Sequence, residues 1–133
     1  MIKKILLVDE DPDNLEMISG VLEEDGFTVL TAETSEEGLK LFREQKPDAV
    51  AVDLMMERYD SGFVFSYHVK KDPHGKKIPV AILTSATYHT GIKFDVSTPE
   101  EKEWLKCDFM MDKPIDPKEL VRKFEQFYEL QEA

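Results

Sequence analysis

Five polar side chains stand at the ends of four short apolar runs, and their types suit phosphate chemistry. The run ILLV precedes Asp9 and Glu10, DAVAV precedes Asp53, PVAIL precedes Thr84, and FMMD precedes Lys113. If these runs are parallel strands of one sheet, their carboxyl ends open at the same edge and the five groups converge there. Three acids, a hydroxyl and an ammonium are the makeup of a site for a divalent cation and a phosphoryl group.

Local structure explains the position of some of the acids but not of others. Helix capping accounts for Asp11, but Asp9 and Glu10 have no such explanation, and magnesium prefers a few hard oxygens while keeping much of its water. Asp53 follows four apolar residues, where an ionised carboxylate needs a cation or an ammonium nearby. An aspartate carboxylate can also attack a phosphoryl group to form an acyl phosphate. The plainer alternative for Asp53 is an ion pair with Lys113.

Thr84 and Lys113 also have interpretations without a functional role: Thr84 as an ordinary β-branched strand residue and Lys113 as an ordinary loop lysine. Beside a phosphoryl group, the hydroxyl can hydrogen-bond a phosphoryl oxygen and the ammonium can neutralise its charge. Phosphoryl transfer needs mostly positioning and charge neutralisation, and these side chains supply both.

Alternating strands and helices must position these groups. Apolar and β-branched runs predict strands at residues 5–8, 27–31, 48–52, 78–83 and 108–111. Capping and periodic signals predict helices that begin at Asp11-Pro12, Ser35, Phe63, Thr98-Pro99 and Asp116-Pro117. Five strands alternating with five helices indicate a doubly wound α/β domain with a parallel sheet and right-handed crossovers.

Size and charge narrow the function further. With 133 residues, 41% of them hydrophobic, the sequence predicts one domain over residues 1–133 and no output domain. The net charge is -11, and eleven acids but no Lys or Arg lie between Ile5 and Leu39. Such a surface repels nucleic acid and anionic membrane. The lone Cys107 suits a reducing compartment and no run approaches membrane-spanning length, so we expect a cytoplasmic protein.

Over nearly its whole length the chain resembles the receiver domain of two-component response regulators. The matching pieces are LLVDEDPDN, AVDLMM, Gly62-Phe63, IPVAILTSAT and DKP. The resemblance implies a CheY-like, flavodoxin-like three-layer sandwich with strand order 2-1-3-4-5. It further implies that Asp53 accepts a phosphoryl group from a phosphohistidine on a sensor histidine kinase or phosphotransfer protein. Thr84 and Lys113 would then contact the phosphoryl oxygens.

The same resemblance implies a magnesium ion as the cofactor. Its ligands would be Glu10, Asp53 and the backbone carbonyl of Met55, with Asp9 nearby through water. The resemblance also implies a cis peptide bond between Lys113 and Pro114.

Several positions depart from the family pattern. Glu57 stands where a proline usually follows the acceptor aspartate, and the spacing from Asp53 to Gly62 is longer than usual. Met110 occupies the place of the aromatic residue that pairs with the threonine, and strand alternation points Phe109 to the opposite face. The segment before Lys113 is also long, so we expect an extended loop or an extra turn at residues 88–97.

Three functions follow from this pattern. The first is a stand-alone phosphoacceptor whose phosphorylation changes an exposed face for a downstream protein. The second, which Met110 and the long loop allow, is a binding module that keeps the fold but signals without phosphorylation. The third is an aspartate-nucleophile phosphatase of the haloacid dehalogenase type, which Met55 disfavours because it replaces the acid–base aspartate. A homodimer through the predicted fourth and fifth helices is a further possibility.

Overall fold

A single parallel sheet organises the chain. The computed structural model describes residues 2–58, 61–85 and 107–132. The strands are β1 (Lys4–Val8), β2 (Thr28–Ala32), β3 (Ala49–Asp53), β4 (Val80–Thr84) and β5 (Phe109–Asp112). All neighbours pair in parallel, in the order β2-β1-β3-β4-β5, which confirms the strand order implied by the resemblance.

Helices connect the strands within the described residues. They are α1 (Pro12–Glu24), α2 (Ser35–Gln45), α3 (Ser61–Lys71) and the C-terminal helix (Pro117–Glu132), with a short 3₁₀ turn at Gly75–Lys77. Asp11 caps α1 by accepting from the backbone N–H of Asp13, as the sequence predicted. The extended loop at residues 88–97 and the helix predicted to begin at Thr98 lie outside the described residues.

The helices cover both faces of the sheet. One apolar cluster joins the sheet to α2 and α3 through Phe42, Phe65 and Val69. The other joins it to α1 and the C-terminal helix through Ile18 and Phe124, among others. The result is the three-layer α/β sandwich that the resemblance implied. Since each fully buried large apolar side chain contributes about 1.5–3 kcal/mol, these two clusters are the main stabilising contacts of the fold.

Strand and helix limits differ slightly from those predicted. Asp53 and Thr84 are the last residues of β3 and β4, not the first residues after them. The backbone N–H of Leu54 donates to the carbonyl of Leu83 at 2.8 Å, and that of Lys113 donates to the carbonyl of Thr84 at 2.7 Å, so pairing continues past both predicted strand ends. In the same way α3 begins at Ser61, before the predicted start at Phe63. Tertiary pairing and loop hydrogen bonds extend these elements beyond their apolar runs.

Among the described residues, none of the helices combines the length and apolar character needed to cross a membrane. The cytoplasmic location and the single domain over residues 1–133 stay predictions.

Candidate functional site

The carboxyl edge of the sheet brings three of the predicted site residues into contact. Asp9 follows β1, Asp53 ends β3 and Lys113 follows β5. The Lys113 ammonium lies 3.0 Å from Oδ2 of Asp9 and 3.1 Å from Oδ1 of Asp53. One cation therefore bridges two acids that are distant in sequence, and the bond between Lys113 and Pro114 is cis, as the resemblance implied.

Asp9 is held by more donors than the sequence indicated. Its carboxylate is buried and accepts from the backbone N–H of Asp11 at 3.0 Å and from the Asn14 amide at 2.6 Å, besides the ammonium. Asn14 was missed by sequence reasoning, and the only signal for it was a polar residue in the first turn of α1. Because its lone pairs are used in this way, Asp9 is fixed beside Lys113 in the structure.

The environment of Asp53 disfavours its ionised form. Burial first, and the charge of Asp9 second, raise the pKa of Asp53 from a usual value of 3.8 to about 6. The Lys113 ammonium lowers the pKa of Asp53 through charge and a hydrogen bond, and Glu10 raises it. Three acids face one ammonium, so the site carries excess negative charge that a further cation would offset.

Lys113 responds to the same charges in the opposite sense. Burial alone would lower the pKa of Lys113, but the hydrogen bond to Asp9 and the charges of Asp53 and Asp9 raise it. The side chain therefore stays an ammonium at neutral pH, and it can neutralise an anion placed beside Asp53.

Thr84 lies at the same edge but its hydroxyl has a different partner. The residue is buried, and its carbonyl accepts from the backbone N–H of Lys113 at 2.7 Å. Its hydroxyl donates to Oδ1 of Asp112 at 2.8 Å. Sequence reasoning missed Asp112, because nothing in the local pattern marks an acid before Lys113 as a partner of a distant threonine.

The predicted metal ligands have the chemistry that magnesium requires. Glu10 is exposed and close enough to raise the pKa of Asp53, and Met55 lies two residues after Asp53 in the loop that leads to α3. In the described part of the chain, no three Asp, Glu, His or Cys side chains form a cluster that could hold a metal by themselves. A site of two carboxylates, one carbonyl and water fits magnesium, which keeps several waters when protein-bound.

The loop between β3 and α3 is tied to the start of α2 by Glu57. Its carboxylate accepts from the backbone N–H of Ser35 at 2.7 Å and from the Ser35 hydroxyl at 3.0 Å. Partial burial alone would raise the pKa of Glu57, but hydrogen bonds from Ser35, its own backbone and Ser61 lower it. The acid that replaces the usual proline is thus a fixed contact of this loop.

The aromatic position of the family switch is also occupied differently. Met110 packs into the cluster under α2 and α3, on the side of β5 that Asp112 shares by alternation. The Phe109 ring lies 5.6 Å from Phe124 of the C-terminal helix. Phe109 therefore turns toward the C-terminal helix, although it also contacts the first cluster.

Comparison with known proteins agrees with the fold. The sequence model of the response regulator receiver domain matches residues 5–125. Protein PilH of Pseudomonas aeruginosa is 32% identical over 122 residues, covering 90% of this chain and 92% of PilH. A five-stranded parallel sheet in the order β2-β1-β3-β4-β5, covered by helices, is the CheY-like receiver fold. This chain belongs to the response regulator receiver domain family, which consists of signalling modules of two-component systems.

Solved structures share the same architecture. A putative response regulator from Chloroflexus aurantiacus J-10-fl superposes with a TM-score of 0.75 and 28% identity, over 96% of this chain and 98% of that one. The receiver domain of the sensor histidine kinase PA1611 from Pseudomonas aeruginosa PAO1 was solved with magnesium in its active-site cleft. It shares the fold, with a TM-score of 0.74, 20% identity and coverage of 96% and 98%.

Proposed function

We propose that this chain is a phosphoacceptor that takes a phosphoryl group onto Asp53 and signals through contact with a downstream protein. The observation that carries the proposal is the carboxylate of Asp53, buried at the end of the central strand and 3.1 Å from the Lys113 ammonium. A nucleophile in this place has a cation ready for the charge of the incoming group.

Phosphoryl transfer requires few covalent changes in the protein itself. A carboxylate oxygen of Asp53 forms a bond to phosphorus while the bond between phosphorus and a donor histidine nitrogen breaks. The electron pair stays on the imidazole, which takes up a proton from water. Lys113 neutralises the phosphoryl oxygens, and Asp9 together with Asn14 keeps the ammonium in place.

The excess negative charge of the edge supports magnesium as the cofactor. Glu10, Asp53 and the Met55 carbonyl would hold it, with Asp9 acting through water. When bound, magnesium supplies charge neutralisation for the attacking and phosphoryl oxygens. The magnesium in the PA1611 receiver cleft supports the assignment by likeness of fold.

Phosphorylation by a small donor tests the proposal. Wild type, Asp53→Asn and Glu16→Gln are incubated with acetyl phosphate and magnesium, and intact mass is measured. Glu16 is an exposed acid of α1 and serves as the charge-matched control. We expect one added phosphoryl group on wild type and Glu16→Gln, none on Asp53→Asn, and none after chelation of magnesium. An unmodified wild type, or a modified Asp53→Asn, contradicts the proposal.

One observation favours a second function, signalling by the same fold without phosphorylation. Met110 stands at the switch position and packs into the core cluster. Partner binding that is equal for wild type, phosphorylated wild type and Asp53→Asn would support this alternative. The phosphatase alternative has no such support, because Met55 packs against the core cluster and offers no acid or base.

A further inference from the structure

The hydroxyl of Thr84 already donates a hydrogen bond to the carboxylate of Asp112. Thr84 and Asp112 are register partners at the ends of β4 and β5. The hydroxyl donates to Oδ1 of Asp112 at 2.8 Å, while the Met111 carbonyl is 3.5 Å away. Because the acceptor is a carboxylate, the shorter contact is the stronger of the two.

A threonine hydroxyl has one hydrogen to donate. It cannot be given to Asp112 and to a phosphoryl oxygen at the same time. If Thr84 is to contact a phosphoryl group on Asp53, the bond to Asp112 must break first. The bond shown in the structure therefore belongs to the unphosphorylated form.

The negative charge of Asp112 also opposes a phosphoryl group on Asp53, as the competition for the hydroxyl does. Asp112 directly precedes Lys113, at an edge where Asp9, Glu10 and Asp53 already face one ammonium. A phosphoryl group brings more negative charge to that edge. A fourth carboxylate nearby repels it, less strongly than a buried one would because Asp112 is exposed.

We propose that Asp112 is a positioning residue that acts through Thr84, holding the hydroxyl in the unphosphorylated arrangement and opposing the phosphorylated one. The proposal rests on the proposed function, since it assumes a phosphoryl group on Asp53. Asp112 lies on the same side of β5 as Met110, the position where the family pattern has an aromatic residue. Release of Asp112 is then the local change that follows phosphorylation in this chain.

Beryllofluoride, a phosphoryl mimic, tests the inference in the presence of magnesium. Its affinity is measured by titration for wild type, Asp112→Ala, Asp112→Asn and Glu125→Ala, an exposed acid of the C-terminal helix that serves as the charge control. We expect Asp112→Ala to bind about three- to tenfold more tightly, because the hydroxyl is no longer held. Asp112→Asn should gain less, since its amide oxygen still accepts, and Glu125→Ala should match wild type.

A double-mutant cycle with Thr84→Val shows whether the effect passes through the hydroxyl. In the Thr84→Val background, Asp112→Ala should change the affinity by less than about twofold. Urea unfolding of each variant checks that it is folded.

Each contrary result has a distinct meaning. Asp112→Ala could increase the affinity for beryllofluoride as much in the Thr84→Val background as in wild type, or Asp112→Asn could bind as tightly as Asp112→Ala. Either result assigns the effect to charge alone and overturns the inference. Equal affinity of wild type and Asp112→Ala overturns it as well. Failure of wild type to bind beryllofluoride overturns the proposed function, and the inference with it.

Discussion

Asp53 is a carboxylate that folding makes harder to ionise. Burial and the charge of Asp9 raise its pKa to about 6, in spite of the Lys113 ammonium 3.1 Å away. Ionised Asp53 therefore lowers the stability of the metal-free fold, and a bound cation would relieve that cost. The same feature that suits Asp53 to a phosphoryl site thus destabilises the domain.

Replacing Asp53 by Asn should stabilise the metal-free protein at neutral pH. A carboxyl group whose folded pKa is raised contributes most stability below its unfolded pKa, and loses that contribution as pH rises through the folded value. The variant should be more stable than wild type by up to about 3 kcal/mol above about pH 6, with the gap closing below about pH 4.

Urea unfolding in the presence of a chelator, at a series of pH values, measures this gap. Glu16→Gln removes one charge from an exposed site of α1 and is the control. A gap that is the same at acid and neutral pH, or one that Glu16→Gln reproduces, is inconsistent with the prediction. Added magnesium should stabilise wild type more than Asp53→Asn.

Among the elements, the loop between β3 and α3 depends on two contacts. In the middle of the loop Glu57 binds Ser35 at the start of α2, where the partial positive charge of the helix favours a carboxylate. The two ends of the loop are joined by the backbone N–H of Gly62, which donates to the carbonyl of Leu54 at 2.7 Å. Met55, whose carbonyl is a proposed magnesium ligand, lies between these two contacts.

Removing the Glu57 side chain should loosen the proposed magnesium site. In Glu57→Ala the loop loses its contact with α2, and we expect magnesium to bind about tenfold more weakly, at the low end of the range for groups that orient metal ligands. Calorimetric titration with magnesium checks this value. Glu36→Ala removes an exposed acid from the same helix end and should bind magnesium as wild type does. Equal affinity in both variants would show that the loop holds its shape without Glu57.

Two glycines should respond oppositely to alanine substitution. A Cβ at Gly62 would lie 2.6 Å from the Leu54 Cα and 2.8 Å from the Asp53 carbonyl, which are backbone atoms that cannot move aside cheaply. We expect Gly62→Ala to lower the free energy of unfolding by about 1–3 kcal/mol. Gly20 lies in α1 with no heavy atom within 4 Å of a Cβ, so Gly20→Ala should raise it by about 0.5–1 kcal/mol.

Urea unfolding checks both glycine substitutions, and acetyl phosphate labelling adds a site readout. Gly62→Ala should accept phosphate more slowly than wild type, because the added methyl presses on the Asp53 backbone. Gly20→Ala should be labelled at the wild-type rate. If Gly62→Ala has the same free energy of unfolding as wild type, the loop and α3 move to accommodate the methyl group without loss of stability.

At the scale of the whole molecule, charge is distributed unevenly. The net charge is -11, and the first helix has no basic residue in its last turn, where the helix dipole favours one. Repulsion among exposed acids of residues 5–39 therefore opposes folding, and salt screens it. These exposed acids would attract a basic partner surface.

Salt should stabilise the protein measurably. Raising NaCl from about 0.02 to about 0.2 M, with chelator present, should raise the melting temperature by about 2–5 °C. The double variant Glu23→Lys, Glu24→Lys has less excess negative charge in this region. Its melting temperature should therefore rise less with salt. Differential scanning calorimetry measures both proteins. An unchanged or lower melting temperature in wild type would indicate that repulsion between acids contributes little to stability.

The sequence by itself determined the elements and the edge at which chemistry would lie. Strands buried on both faces need apolar side chains throughout, so β1, β3 and β4 are visible as continuous apolar runs ending at polar residues. Asp11-Pro12 marks a helix start because capping is a local interaction. These signals are local, so they can be recognised in the sequence without knowledge of the fold.

Only the tertiary structure decided which side chains meet. The contact of Lys113 with both Asp9 and Asp53, the hydrogen bond from Thr84 to Asp112 and the attachment of Glu57 to Ser35 all join separate elements. Such contacts depend on strand register, loop path and rotamer, which no local pattern encodes. The edge of the sheet was therefore predictable, whereas the donor and acceptor pairs along it required the folded chain.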